Sequence, residues 1–304
     1  MTNEPPGGTW GYWWEYGDTP GNIDDAWARL RKEFDERMIQ IPISGPDWTD
    51  MPPFDEKKLT MAGSLGSIDI HSYHGVTDEG EENLRKWASW SHEQGKPFFL
   101  TEYGNMNLGW GGDDANQKSF AAALSNASDV LRALHAGVDG MNRWSFTNRG
   151  DLDGQWQLVK TFNLESRTYL TEVVPEPEAY YGFGIISRFL SKYSSLVLSE
   201  IDHDDKNILS AALLSPKGEL SIFLVNLEDQ TITIRLKLKS YKNKSLQIYQ
   251  VTKEMVNQPG FELNSIDKFK FNSLQEKKIT LPAKSITTIS SYDLGHDKNG
   301  VVLE

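Results

Sequence analysis

The sequence predicts an α/β fold: strand–helix alternation over residues 1–193, then an antiparallel β-sandwich over residues 194–304. Three observations carry this. Short apolar runs in the first part alternate with longer stretches of helical spacing, at an interval of roughly 30 residues, which suits parallel strands with right-handed crossovers. After about Tyr193 the pattern becomes short Val-, Ile- and Thr-rich runs. The length, 304 residues, holds one large domain or two ordinary ones.

In order, the runs expected as strands in the first part are residues 38–43, 67–71, 97–101 and 138–144. Between them, Ile23, Trp27, Leu30 and Phe34 make the stripe of an amphipathic helix. Leu84, Trp87 and Trp90 repeat it, with Gly95 as the stop and Pro97 just beyond. Phe120, Leu124, Val130, Leu131 and Leu134 mark a third helix, closed by Gly137, and a fourth starts near Pro177 and runs through Tyr180, Phe183, Ile186 and Phe189. In the second part, residues 196–201, 208–214, 219–227, 231–238, 246–251, 277–281 and 286–292 read as strands. Several alternate cleanly, as in Thr231-Ile232-Thr233-Ile234-Arg235-Leu236, which puts one face inward and one outward. Ser215-Pro216-Lys217-Gly218 has the residue types of a hairpin turn, and no internal repeat is present.

Composition narrows the function. A formal charge of −12 repels phosphate backbones and anionic lipid, which argues against nucleic-acid and membrane-surface partners. No apolar run approaches the ~20 residues that span a bilayer. Met1 is followed by the polar TNEPPGG, which does not read as a signal peptide, and the compartment stays open. The absence of cysteine removes disulfide, thiolate and Cys-zinc chemistry. The spacing His71-x-x-His74 lacks a carboxylate ligand, Gly182-Phe183-Gly184 lacks the third glycine of a dinucleotide loop, and no Gly-x-Ser-x-Gly or Walker motif occurs.

In parallel α/β barrels the chemistry sits at the C-terminal ends of the strands. Here those ends carry His71-Ser72-Tyr73-His74, Thr101-Glu102-Tyr103 and Arg143-Trp144-Ser145, with Ser44-Gly45-Pro46-Asp47-Trp48 after the first run and Asn3-Glu4-Pro5 near the start. Two carboxylates on different strand ends among aromatic rings suit glycoside hydrolysis. That reaction needs one carboxyl kept protonated to donate to the leaving oxygen and one ionised to attack carbon or activate water. Trp10, Trp13, Trp14, Trp48 and Trp110 offer rings for the apolar faces of sugars, with ordinary burial the competing reading of each.

These residues together resemble the clan A retaining glycoside hydrolases, which have a (β/α)8 barrel. The acid/base motif Asn-Glu-Pro of strand four is matched by Asn3-Glu4-Pro5, and the strand-seven nucleophile by Glu102. The His-x-Tyr of strand six is matched by His71 and Tyr73, and the strand-eight tryptophan by Trp144. The resemblance covers most of residues 1–190, and the appended β-sandwich is similar to that of families 30, 39, 51 and 79. It implies a partial TIM barrel holding strands four or five to eight over residues 1–193, with the sandwich over 194–304. It further implies catalysis by Glu4 and Glu102 and substrate contacts from Asn3, His71, Tyr73, Trp144, Trp48 and Trp110. The substrate is a β-linked carbohydrate, and no metal or organic cofactor is required.

A full barrel takes ~250 residues. On this alignment strands one to three lie outside the chain, which then reads as an N-terminally truncated part of a longer enzyme of a commonly secreted type. An open barrel edge invites self-association or pairing with a complementary N-terminal half barrel. A non-catalytic carbohydrate-binding or structural remnant is the alternative reading.

Overall fold

The computed structural model describes residues 23–48, 51–54, 60–109, 116–147, 156–163, 165–197, 207–238, 245–270 and 276–292. In the first part of the chain the elements are α1 (Ile23–Glu36), β1 (Ser44–Trp48), β2 (Ser67–Ser72), α2 (Asp78–Glu93), β3 (Phe98–Tyr103), α3 (Phe120–Ala136) and β4 (Gly140–Arg143). There follow β5 (Val159–Asn163), β6 (Thr168–Pro175), α4 (Pro177–Ser187), β7 (Ser195–Val197), β8 (Ile208–Leu214), β9 (Leu220–Asn226) and β10 (Ile232–Leu236). The last are β11 (Ser245–Val251), α5 (Lys253–Val256), β12 (Asp267–Lys270), β13 (Lys277–Leu281) and β14 (Ser285–Ser290). The chain divides into two compact units, Met1–Trp110 with Arg132–Phe146, and Gly111–Leu131 with Thr147–Glu304.

The first unit is built on a four-stranded parallel sheet in the order β1-β2-β3-β4. One face of it is apolar. Ile68, Ile70, Phe98 and Leu100 from the strands pack with Leu84, Trp87 and Trp90 of α2, and with Trp27 and Trp48. Trp87 is fully buried, stacked on Phe98 at 6.2 Å and edge-on to Trp48 at 5.3 Å. α2 lies between β2 and β3 in the chain and has clear ends. Thr77 caps its N-terminus by accepting from Gly80 N–H at 3.1 Å, and Asp78, Glu79 and Glu81 complement the dipole there. At its C-terminus Gly95 takes φ 69°, letting Lys96 N–H reach Ser91 C=O at 3.0 Å and Gly95 N–H reach His92 C=O at 2.8 Å.

The first strand differs from the sequence expectation. Residues 38–43 form no strand; the strand is Ser44–Trp48, immediately after them. The apolar run instead terminates α1. Met38 adopts φ 56°, Ile39 N–H donates to Phe34 C=O at 2.8 Å and Met38 N–H to Asp35 C=O at 3.0 Å, the hydrogen bonds of a left-handed helix cap. The guanidinium of Arg31 then takes the carbonyls of Ile39 and Ile41 at 2.9 and 3.0 Å, so they have a partner other than a neighbouring strand.

In the second unit, six strands form an antiparallel sheet in the order β12-β11-β14-β9-β8-β7, and β10 pairs with β13. Ile222, Leu224, Ile248 and Ile289 on one face of the larger sheet share an apolar cluster with Ile279 and Leu281 of β13 and Ile232, Ile234 and Leu236 of β10. The other face meets α4 and the residues just after it: Thr288 Oγ1 donates to Ile185 C=O at 2.5 Å, and Ser221 Oγ to Phe189 C=O at 2.8 Å. Gly182 of α4 lies so close to Ala123 that a Cβ there would sit 2.4 Å from the alanine methyl. The hairpin β5–β6 and the strand β12 were not expected from the sequence. β6 is exposed along most of its length and lacks the alternation that marks a half-buried strand.

Candidate active site

The face of the parallel sheet opposite the apolar cluster carries the polar residues, and the strand registers explain which of them reach it. On β2, alternation sends Ile68 and Ile70 to the apolar face and Ser67, Asp69 and His71 to the other. All five are buried. β3 pairs Ile70 with Leu100 but His71 with Glu102, so Thr101 is an extra residue in the ladder. Strict alternation would set Glu102 on the side of Phe98 and Leu100. The irregularity at Thr101 turns it over to the side of His71. On β1 the ladder pairs Pro46 with Asp69 and Trp48 with Ile70, which makes Asp47 the extra residue, and it adopts φ 64°.

A continuous set of polar contacts results. Tyr73 O–H donates a short hydrogen bond to Glu102 Oε2. His71 Nδ1 lies 3.4 Å from the same oxygen, while His71 Nε2 is 2.9 Å from Asp47 Oδ1. Thr101 Oγ1 reaches Asp47 Oδ1 at 3.5 Å. Behind these, Asp69 accepts from Asp47 N–H at 2.7 Å and from Ser44 Oγ at 2.5 Å, and Ser67 Oγ donates to Ser44 Oγ at 2.7 Å. Burial pushes the Asp69 carboxyl up to about 6 against the lowering effect of the Ser44 hydroxyl, and the neighbouring Asp47 charge adds to the rise. At the end of β4, removal from solvent pushes the Arg143 guanidinium down to about 10, so it stays charged at neutral pH. It donates to the carbonyls of Trp144 and Ser145 at 3.2 and 3.3 Å.

Of the residues expected from the sequence, His71, Tyr73 and Glu102 are in direct contact, and Trp144 follows β4, its N–H donating to Tyr103 C=O at 3.0 Å. Trp48, expected as a sugar-stacking ring, is 4% exposed and lies in the apolar cluster beside Trp87. The extra residue at Asp47 places it there, because the ladder pairs Trp48 with Ile70. Asn3, Glu4 and Trp110, like Trp10, Trp13 and Trp14, lie outside the described residues. Asp47 and Asp69 are members of the site that sequence reasoning missed. The available signal was the polar member at every second position of Ser67-Ile68-Asp69-Ile70-His71, which in a sheet covered on one face by a helix demands polar partners on the other.

Neither a protein-family model nor a curated protein sequence matches this chain. Solved structures do. A GH30 endoxylanase from Clostridium papyrosolvens C71 superposes with a TM-score of 0.64 at 14% identity, over 95% of this chain and 63% of that one. A conserved exported protein from Bacteroides fragilis gives 0.71 at 16% identity, over 95% of this chain and 64% of that one. A xyloglucanase of glycoside hydrolase family 44 from Paenibacillus polymyxa gives 0.55 at 11% identity, over 88% of this chain and 60% of that one. The chain shares its fold with these glycoside hydrolase structures. It spans less than two thirds of the length of these solved chains.

Proposed function

We propose that this chain carries the nucleophile half of a retaining glycoside hydrolase acting on β-linked poly- or oligosaccharides. On this reading residues 1–193 supply strands four or five to eight of a (β/α)8 barrel and residues 194–304 an antiparallel β-sandwich. The single observation that carries it is the hydrogen bond from Tyr73 to Glu102, with His71 beside the same oxygen, at the C-terminal ends of adjacent parallel strands.

The chemistry follows from two carboxyl groups. Glu102, ionised, attacks the anomeric carbon as Glu4 gives its proton to the glycosidic oxygen, and the leaving sugar departs as an alcohol. Glu4 then removes a proton from water, which displaces Glu102 and restores both groups with the anomeric configuration retained. Retention requires the two carboxyls ~5–5.5 Å apart. Tyr73 and His71 orient the Glu102 carboxylate, and Asn3, Trp144 and Trp110 contribute to sugar binding. Reducing-end release from xylan, xyloglucan and β-glucans, compared between the chain and its Glu102→Gln variant, tests this. A loss of roughly 10³-fold or more on substitution is expected, and equal activity of the two proteins refutes the assignment.

A second reading is a non-catalytic carbohydrate-binding or structural remnant of such an enzyme. It predicts oligosaccharide binding by calorimetry with no bond cleavage. Among the described residues β1 and β4 are the outer strands of the parallel sheet. Association through them, with a second copy or a complementary half barrel, is expected, and a monomer by light scattering at micromolar concentration would count against it.

A further inference from the structure

We propose that Asp47 is a positioning residue for the nucleophile: it holds His71 as a doubly protonated imidazolium whose second N–H faces Glu102, keeping that carboxylate ionised and aimed. This rests on the reading of Glu102 as the nucleophile.

The geometry begins with a ring that has no access to solvent, the His71 side chain being 0% exposed. A neutral imidazole carries one N–H. With Nε2 at 2.9 Å from Asp47 Oδ1 and Nδ1 at 3.4 Å from Glu102 Oε2, a neutral ring would set one lone pair against a carboxylate oxygen. The imidazolium donates to Asp47 through Nε2 and sets a positive N–H edge, rather than a lone pair, 3.4 Å from Glu102. Burial opposes the charge, but two flanking carboxylates offset that opposition, and a buried cation is stable only where it is paired in this way. Among the described residues, the groups facing the ring come from each neighbouring strand. Asp47 belongs to β1, Asp69 shares β2 with the ring, Glu102 belongs to β3, and Tyr73 stands edge-on at 6.0 Å.

Asp47 reaches this position by a built device. It is the extra residue of the β1 ladder, in the left-handed region at φ 64°, a conformation that Asp and Asn tolerate better than other side chains. Its N–H is held by Asp69, which is itself held by Ser44. An irregular strand end is thereby converted into a fixed carboxylate on the far side of His71 from Glu102. Deprotonation of the ring at high pH would remove the cation beside Glu102, which gives the site an alkaline limit set by Asp47.

The test is the titration of His71 in the full chain labelled with ¹⁵N-histidine, its resonances assigned by their loss in His71→Gln. Both ring nitrogens should show imidazolium shifts at pH 7, with a midpoint about one pH unit or more above the ~6.5 of free histidine. Asp47→Asn, which keeps the shape and removes the charge, should lower that midpoint by about one pH unit, a tenfold change in proton affinity. Glu102→Gln should lower it as well, which keeps the proposal testable if Asp47→Asn does not fold. With a dinitrophenyl β-glycoside, the alkaline limb of kcat/KM should move with the midpoint in Asp47→Asn, through kcat more than KM. A wild-type ring that stays neutral as a single tautomer at pH 7, or a midpoint unmoved by Asp47→Asn, overturns the role of Asp47. The titration needs no substrate, so a chain that cleaves no glycoside fails the hydrolase reading alone.

Discussion

The six-stranded antiparallel sheet and the four-stranded parallel sheet both bury polar side chains, and they do so with different chemistry. In the antiparallel sheet the buried groups include the hydroxyls of Ser221, Thr287, Thr288 and Ser290 and the amides of Asn226 and Gln250, and those of Ser221, Thr288, Asn226 and Gln250 donate to backbone carbonyls. These groups are neutral across the ordinary pH range, and the ladders β8–β9, β9–β14 and β11–β14 run without a register shift. In the parallel sheet the ionisable Asp69 and His71 are buried beside the hydroxyls of Ser67 and Ser72, and all three ladders are shifted. Where strands only hold a core together, neutral hydroxyls satisfy the backbone and regular pairing is kept. Where side chains must converge on one carboxylate, regular pairing is given up at Asp47 and Thr101, and ionisable groups are buried as part of the arrangement.

The largest way to break the parallel half is at its apolar face. Trp87→Ala should destabilise the protein by about 3–5 kcal/mol, because it empties the space between Phe98 and Trp48. Urea unfolding followed by tryptophan fluorescence and circular dichroism measures this, and a change below about 1 kcal/mol would show that the cluster collapses around the gap.

The next effect separates the two sheets by pH. Asp69 titrates near 6 in the fold and near 3.8 when unmodified by structure, so the folded state binds the proton more tightly. Its contribution is most favourable below pH 3.8 and is lost as the pH rises towards 6, by at most about 3 kcal/mol. Asp69→Asn keeps an acceptor for Asp47 N–H and removes the titration, so stability measured from pH 4 to 7 should lose that slope. Thr288→Val in the antiparallel sheet should leave the slope unchanged. An identical pH profile for wild type and Asp69→Asn would refute the assignment of the titration to Asp69.

The smallest effect sharpens the comparison at a helix end. Thr77→Ala removes the acceptor for Gly80 N–H and should cost about 1 kcal/mol, read as a shift in the urea midpoint at constant slope.

The two halves were also unequally legible. The strand Lys277–Leu281 falls where alternation and branched residues put it, since one face is buried and period two is the physical consequence. The stops of α2 and α3 at Gly95 and Gly137 were readable because a positive φ favours glycine. Residues 38–43 misled because an apolar composition does not say which partner takes the carbonyls, and Arg31, 8 to 10 residues upstream, takes two of them. At the site, Glu102, His71 and Tyr73 stood out as polar residues at strand ends. Asp69 was marked only by the alternation of its strand, and the role of Asp47 depends on an extra residue in one ladder, a register shift that leaves no mark on local composition.

The central claim is that Glu102 is the attacking carboxylate. Its most direct test is covalent trapping with dinitrophenyl 2-deoxy-2-fluoro-β-xyloside and its glucoside counterpart, whose leaving group needs no proton and so makes the outcome independent of Glu4. Mass spectrometry of the digested chain should find the sugar on the peptide containing Glu102 and none in Glu102→Gln. An adduct on a different carboxylate, or no adduct with either reagent, would contradict it.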